Sequence, residues 1–173
     1  MIFKSSSGLQ LQTTSDPLSK IMVVLDAGCY LFFEFNLNHS LRIVVQNANS
    51  VKPNKLELAN FLSINNLDTV AITETQLALK HRFSIPGWCV LCADWNEFGG
   101  GVVFLVKNNL HHDQFTLPNV VNLETITVCF YLHNNTHLLF ASCYNPPDSP
   151  ILHSDLDSVF SSFDCYSSWW YEL

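Results

Sequence analysis

The chain has 173 residues, of which 48% are hydrophobic and 13% charged, and it carries a formal net charge of -7. This length suits one domain with a sizeable core, and the apolar composition excludes a disordered chain. The acidic balance argues against broad, sequence-independent binding to nucleic acid, because phosphate contacts need Lys and Arg. Residues 146–173 contain five acids and no Lys or Arg, whereas residues 41–145 are close to balanced. The composition therefore still allows a local positive face.

The first forty residues differ in composition from the rest and contain no recognised motif. Their apolar stretch "IMVVLDAGCYLFFEF" is interrupted by Asp26 and Glu34 and is too short to span a membrane, so it predicts a buried hairpin or strand pair. The start "MIFKSSSGLQLQ" lacks the apolar centre of a secretory signal. We therefore expect an intracellular protein, nuclear or cytoplasmic, that is neither secreted nor attached to a membrane.

The six cysteines lie mostly inside apolar runs such as "VCFYL", which is typical of reduced residues packed in a core. Cys89 and Cys92 form a CxxC, but no second pair with suitable spacing follows, and a structural zinc site needs four ligands. The pair is expected to lie along a strand, "WCVLCADW".

The pattern becomes regular from Leu41 onward. "LRIVVQ" predicts a buried strand, "NANSVKPN" a loop, "KLELANFLSINN" a helix and "DTVAIT" a second buried strand. Strand, helix and strand within about thirty residues indicate a parallel crossover unit.

Shorter strands follow, in "SIPGWCVLCAD", "EFGGGVVFLV", "LETITVCFYL" and "HLLFASCY", and their close spacing favours antiparallel pairing. "HSDLDSVFSSF" has apolar residues at helical spacing. The sequence therefore predicts an α/β fold, with a mixed β-sheet flanked by helices.

Four short motifs stand at the ends of predicted strands: "QNANSV" at 46–51, "TETQL" at 73–77, "GGGV" at 99–102 and "YNPP" at 144–147. In open α/β sheets, ligands collect where strands leave the core, so these groups are expected to converge on one site. "GGGV" enters a strand rather than a helix, which indicates a tight turn and not a phosphate-binding loop.

These motifs, taken in order with "NKLELANFL", "IPGW" and "LETITV", resemble the first half of the endonuclease/exonuclease/phosphatase family. They resemble in particular the apurinic-type endonuclease domain of jockey-like non-LTR retrotransposons, from Leu41 to about Pro147. The resemblance implies about one half of the family's two-sheet α/β sandwich. It divides the chain into an N-terminal extension (1–40), a partial endonuclease-like domain (41–164) and an unmatched aromatic tail (165–173).

The resemblance also implies a phosphodiesterase that acts on DNA with Mg²⁺, which neutralises charge on the scissile phosphate. By motif match, Glu74 is the metal-binding carboxylate, Asn47 is a vestigial catalytic residue beside the metal and phosphate, and Asn49 is the next metal-side residue. Tyr144 matches the catalytic tyrosine that reaches the phosphate or positions the other groups. One carboxylate with neighbouring amides suits a hard cation of this kind.

Each of these residues has an ordinary structural explanation as well. Glu74 could be a solvated strand end or a helix cap. Asn47 and Asn49 could be plain turn residues, since Asn bonds readily to the local backbone. Tyr144 could simply bury its ring and keep its hydroxyl at the surface.

The sequence lacks the "GDFN"-like and "SDH"-like segments with which the family's second half activates water and contacts the transition state. Because each such contribution is worth orders of magnitude in rate, we expect a truncated domain that binds Mg²⁺ weakly or not at all and is inactive alone. Half a sandwich would leave one apolar sheet face uncovered, unless the N-terminal segment, the tail, a homodimer partner or another protein covers it. The alternative is a domesticated, non-catalytic protein-interaction module built on the half-fold.

Overall fold

The structure is a computed structural model. It describes the strand backbone within residues 9–40 and, in full, residues 41–77, 83–93, 101–115, 117, 120–132, 137–146, 149–150, 152–159 and 161.

The described strands form two five-stranded sheets. Sheet I contains, in spatial order, β3 (Leu31–Leu37), β4 (His39–Asn47), β5 (Thr69–Thr73), β7 (Val102–Lys107) and β6 (Trp88–Cys92). Sheet II contains β1 (Leu9–Gln12), β2 (Ser19–Leu25), β10 (His137–Tyr144), β9 (Glu124–Tyr131) and β8 (His112–Phe115). Both sheets combine parallel and antiparallel pairs, so the α/β class with mixed pairing is confirmed.

The crossover unit of sheet I forms as predicted. β4 pairs in parallel with β5, and helix α1 (Lys55–Ile64) connects the two strands. Leu58 and Leu62 are the buried residues of α1, and they pack on the outer face of sheet I. The helix ends at Asn65, and Asn66 follows in the left-handed conformation with φ 46° that asparagine tolerates better than most residues.

The strands of the first forty residues extend both sheets. The apolar stretch forms β2 and β3, but the expected pairing of these strands with each other is wrong, because β2 pairs in parallel with β10 and β3 pairs antiparallel with β4. An apolar extended segment can form its backbone hydrogen bonds at any open sheet edge, and β10 and β4 each provide such an edge.

The domain boundary at residue 41 stays a prediction, and the tail at 165–173 lies outside the described residues. No helix in the described part of the chain is long and apolar enough to cross a membrane.

Three apolar clusters fill the space between the layers of the fold. The central cluster lies between the two sheets, where the rings of Phe104 and Phe140 meet edge to face with centroids 5.2 Å apart. The second lies under α1, and the third lies on the outer face of sheet II, where Val159 of helix α2 (residues 153–159) packs. The uncovered apolar face that half a sandwich would leave is therefore not found among the described residues, because the two sheets cover each other.

Asp68 joins three strands at the end of sheet I where β5 begins. Its Oδ2 atom accepts the backbone N–H of Arg42 at 3.0 Å, and its Oδ1 atom lies 3.1 Å from Nζ of Lys107. The backbone N–H and C=O of Asp68 bond to the same two residues. This clamp lies at the opposite end of β5 from the "TETQL" motif.

Asp155 of α2 fixes the loop that leads into β9. Its side chain is fully buried, and its carboxylate accepts the backbone N–H groups of Val121 at 3.1 Å and Asn122 at 3.0 Å. Backbone N–H bonds of this kind compensate a carboxylate for the loss of water. The start of β9 is therefore held in place by the helix packed against sheet II.

Replacing Phe140 by Ala is expected to lower the free energy of unfolding by about 3–5 kcal/mol, because it leaves a cavity at the contact between the sheets. Urea denaturation followed by circular dichroism measures the change. Leu56→Ala serves as the control, since Leu56 is 80% exposed and its loss should change stability by less than about 0.5 kcal/mol. Equal losses for the two variants would contradict the assignment of the inter-sheet core.

Candidate functional site

The chain segments that follow β4 and β5 stay paired beyond the ends of the strands. Three backbone N–H groups of the first segment donate to three carbonyl groups of the second: Ala48 to Thr73 (3.0 Å), Ser50 to Glu74 (2.8 Å) and Val51 to Thr75 (3.1 Å). The motifs "QNANSV" and "TETQL", which are well separated in the sequence, thus form one structural unit at the edge of sheet I. We call this unit the paired loops (residues 47–51 and 73–77).

The backbone of the paired loops is strained. Of the five non-glycine residues with positive φ in the described chain, four lie here: Asn49 (42°), Ser50 (91°), Glu74 (51°) and Gln76 (51°). The left-handed region costs an L-residue roughly 1–2 kcal/mol. Such conformations persist only where the surrounding bonds hold them, and they are concentrated at functional sites.

A chain of side-chain amides links the two loops. Oδ1 of Asn47 accepts a hydrogen bond from the backbone N–H of Asn49, with an N–O distance of 3.3 Å. Oδ1 of Asn49 accepts a hydrogen bond from Nε2 of Gln76, also at 3.3 Å. The first bond is the local side-chain contact that a turn asparagine makes, so the structural explanation of Asn47 holds beside the functional one. The second bond connects "NAN" to "TETQL". Gln76 was not singled out from the sequence, although it lies two residues after Glu74 in the same motif.

Glu74 directly follows Thr73, the last residue of β5, and its side chain is half-buried. It lies at the end of a strand, as expected, and residues 74–77 form no helix that it could cap. Its carboxylate is the acidic group of the paired loops.

A row of paired residues crosses this edge of the molecule from one sheet to the other. In sheet I the row consists of Asn47, Thr73 and Val102, each paired with the next. In sheet II, Glu124 of β9 pairs with Tyr144 of β10. Val102 of the first part and Tyr144 of the second both belong to the apolar cluster between the sheets, which connects the two parts of the row. The structure therefore brings Asn47, Asn49, Glu74 and Tyr144 to one edge.

Glu124 is a residue of this edge that the sequence analysis missed. Its Oε2 atom is buried and has no hydrogen-bond partner in the described part of the chain. Burial raises the pKa of its carboxyl above the usual value, and the bond from Gly101 opposes this shift. The signal in the sequence is an acid at the first position of the strand "ETITVCFY".

Tyr144 is 4% exposed and belongs to the apolar cluster between the sheets. Its ring is therefore part of the core, and a role toward phosphate stays a prediction.

In "GGGV", Gly99 and Gly100 lie outside the described residues. Gly101 has φ 94°, which favours glycine, and it lies directly before β7, as the expected turn requires.

A cavity of about 470 Å³ lies beside Asn47, between the end of β4 and α1. Its walls include the polar side chains of Gln46, Asn54 and Glu57 and the ring of Phe61. This volume lies within the range of small-ligand pockets in proteins.

The donor set of this edge fits a hard divalent cation held mainly by water and substrate. Mg²⁺ usually takes one or two carboxylates and completes its shell with waters and phosphate oxygens, and Glu74 with the amide oxygens of Asn47 and Asn49 offers that chemistry. No group of three or more His, Cys, Asp and Glu residues that could hold a metal occurs within the described ranges. A preformed cage of several carboxylates is therefore not found there.

The cysteines of the described chain are free, as expected. Cys89 and Cys92 lie on β6 and, being three residues apart on a strand, face opposite sides of sheet I, so they cannot share a zinc ion. Cys129 and Cys143 are buried, and burial raises the pKa of each thiol to about 12. These cysteines serve packing.

The chain was compared with known proteins by sequence and by structure. No family model matches the chain. The chain is 26% identical, in a match of 144 residues, to the RNA-directed DNA polymerase from mobile element jockey of Drosophila melanogaster. The match covers 76% of this chain and 16% of that protein. The structure matches the endonuclease domain of TRAS1, a telomere-specific non-LTR retrotransposon, with a TM-score of 0.53 and 20% identity, over 70% of this chain and 52% of that one. The chain thus spans about half of the solved endonuclease domain.

The two packed mixed sheets with flanking helices form an α/β sandwich, and its fold is similar to that of the solved TRAS1 endonuclease domain. The two matches confirm the resemblance to the endonucleases of jockey-like non-LTR retrotransposons.

Glu74→Gly is expected to leave the free energy of unfolding equal to or up to about 1.5 kcal/mol above that of the wild type. The change relieves roughly 1–2 kcal/mol of left-handed strain and costs roughly 0.5–1 kcal/mol of backbone entropy. Thr73→Gly is the control one residue away: its side chain is buried on a regular strand, so the same glycine should destabilise the protein. Urea denaturation of the variants checks this, and a clear loss of stability in Glu74→Gly would show that its backbone is not strained.

Glu124→Gln is expected to change how stability depends on pH. The folded state binds the proton of Glu124 more tightly than the unfolded state, because burial raises the pKa of the folded carboxyl. Wild-type stability should therefore fall as the pH rises from the ordinary glutamate pKa through the raised one, and the uncharged variant should escape this loss. Thermal unfolding midpoints of both proteins, measured across that range, should diverge as the pH rises; parallel curves would contradict the burial of this carboxyl.

Proposed function

We propose that this chain is the metal-side and phosphate-side portion of a retrotransposon endonuclease domain, which binds a divalent cation and the backbone of DNA weakly and does not hydrolyse DNA by itself. The observation that carries the proposal is the pairing of the two loops. Backbone hydrogen bonds join the loop with Asn47 and Asn49 to the loop with Glu74, and Tyr144 ends its strand at the same edge of the molecule.

The side chains of the paired loops suit a phosphodiester and a hard cation. Glu74 offers a carboxylate to the cation, and the amides of Asn47 and Asn49 offer both oxygen ligands and N–H donors for a phosphate. A bound Mg²⁺ would supply neutralisation of charge on the phosphate. The cavity beside Asn47 leaves room for a neighbouring nucleotide.

The proposal of inactivity rests on groups that the 173 residues do not contain. The sequence has no "GDFN"-like or "SDH"-like segment, so the chain lacks the family's groups for activating water and for protonating or stabilising the leaving group. In the proposal, Tyr144 and Asn47 contact a phosphate, and neither takes over the role of the missing general base.

Incubation of supercoiled plasmid with the chain and Mg²⁺ should give no nicking above that of a buffer control. Binding of Mn²⁺, followed by loss of the electron paramagnetic resonance signal of the free ion, should be detectable in the wild type and at least about tenfold weaker in Glu74→Ala, because a ligand is removed. Asp157→Ala is the matched control, since it removes an exposed carboxylate that is not among the proposed metal ligands.

Nicking that Glu74→Ala abolishes would contradict the proposed inactivity. Mn²⁺ binding that survives in Glu74→Ala would contradict the proposed metal site. Absence of both Mn²⁺ and DNA binding in the wild type would favour the protein-interaction module. Association into a homodimer and the nuclear or cytoplasmic location stay predictions that these measurements do not address.

A further inference from the structure

The cavity beside Asn47, about 470 Å³ in volume, is lined by two kinds of residue. Its apolar lining includes the buried Leu58 and Ile72 and the half-buried ring of Phe61. Its polar lining includes the amides of Gln46 and Asn54. Apolar surface with a few polar groups is the usual composition of a pocket that binds a small organic group.

Hydrogen bonds hold the wall of this cavity in place. The backbone N–H of Ser50 donates to the C=O of Glu74 at 2.8 Å, and that of Val51 donates to the C=O of Thr75 at 3.1 Å. Ser50 and Val51 both line the cavity. The wall is therefore fixed before a ligand enters, which lowers the entropy cost of binding.

The side chain of Asn54 does not cap the helix that it precedes. Asn54 is the N-cap residue of α1, where an asparagine oxygen usually accepts a backbone N–H of the first turn, but it makes no such bond. Its Nδ2 atom instead donates to the C=O of Ser50 at 3.4 Å. Its Oδ1 atom accepts no hydrogen bond from the described part of the chain. This oxygen is therefore available to a ligand in the cavity.

The charge of the wall limits the class of ligand. The lining residues within the described ranges include no Lys, Arg or His, and Glu57 contributes a carboxylate. A phosphate in the cavity would face this negative charge without a compensating cation. A neutral flat ring suits the wall better, because its faces can pack on Leu58 and Phe61 while its edge bonds to the amides.

The position of the cavity indicates which flat ring this is. Asn47 and Ser50 line the cavity and also belong to the paired loops, where the proposed function places a phosphodiester. A ring in the cavity would therefore lie next to that phosphodiester. A base of the same strand meets this condition.

We propose that the cavity is a nucleobase pocket, in which an unstacked base packs on Phe61 and its polar edge bonds to Gln46 and Asn54. This inference rests on the proposed function, because the paired loops hold the phosphate to which the base is attached. The pocket adds contacts to the base itself, whereas the paired loops contact only the backbone of the strand.

The test compares two fluorescein-labelled single strands by anisotropy in Mn²⁺, with the full 173-residue chain. One strand carries bases, and the other has the same length and phosphates but stable abasic residues throughout. Single strands are used because their bases leave the stack at little cost. The wild type is expected to bind the base-carrying strand at least about fivefold more tightly, the usual effect of stacking one base on an aromatic side chain.

Two variants and one control locate this preference in the cavity. Phe61→Leu keeps an apolar side chain against the core under α1 but has no aromatic face, so it should abolish the preference and leave abasic-strand binding unchanged. Asn54→Ala changes an exposed residue and should reduce the preference roughly two- to tenfold, because a hydrogen bond is lost. Asn60→Ala is the matched control, since Asn60 is an exposed residue of α1 outside the lining, and it should keep the wild-type preference.

A wild type that binds neither strand contradicts the proposed function, and the pocket with it. Equal binding of the two strands by the wild type contradicts the pocket alone. If Phe61→Leu and Asn54→Ala both keep the wild-type preference, the base binds elsewhere and the proposal fails. A loss of the preference in Asn60→Ala of the same size would show a general effect of changes in α1 and would also overturn it.

Discussion

The face-to-face packing of the two sheets is the interaction on which the rest of the structure depends. Sheets in such a sandwich lie about 10 Å apart, and here Phe104 and Phe140 fill that gap with fully buried rings. Because β4 and β5 of sheet I and β10 of sheet II all end at one edge, the packing joins groups that neither sheet carries alone. Glu74 follows a strand of one sheet and Tyr144 ends a strand of the other, so their relative placement is a property of the sandwich.

The paired loops show how the stable part of the fold supports a strained part. Regular parallel pairing ends at Asn47 and Thr73, yet backbone bonds continue to Val51 and Thr75. These bonds hold Asn49, Ser50, Glu74 and Gln76 in the left-handed conformation. A loop of free conformation would expose the same side chains without fixing their positions. The left-handed conformation of Glu74 is therefore maintained by these bonds, which hold the residue at a defined point after β5.

The sequence predicts those features that depend on local periodicity. The crossover of β4, α1 and β5, the strands β9 and β10, and the place of Glu74 all follow from apolar runs and their polar ends. The partners of β2 and β3 do not follow, because an apolar run does not specify which sheet edge it joins. Gln76 and Glu124 were missed for a related reason, because each is brought to the site by a residue that is distant in the sequence. Gln76 bonds to Asn49, and Glu124 pairs with Tyr144.

The charge of the chain constrains how such a site can bind DNA. The net charge is -7, and nonspecific affinity grows with the number of phosphates that Lys and Arg neutralise. The acids are concentrated in residues 146–173, whereas Lys52 and Lys55 lie close to the paired loops in the sequence. Two cations make only a small electrostatic contribution, so the affinity for a phosphodiester that we propose would have to come from the edge itself, from a cation on Glu74 and from the amides of the paired loops. A site without a basic surface depends on the exact placement of a few groups, which is why the backbone bonds that hold Asn49 and Glu74 are central to the proposal.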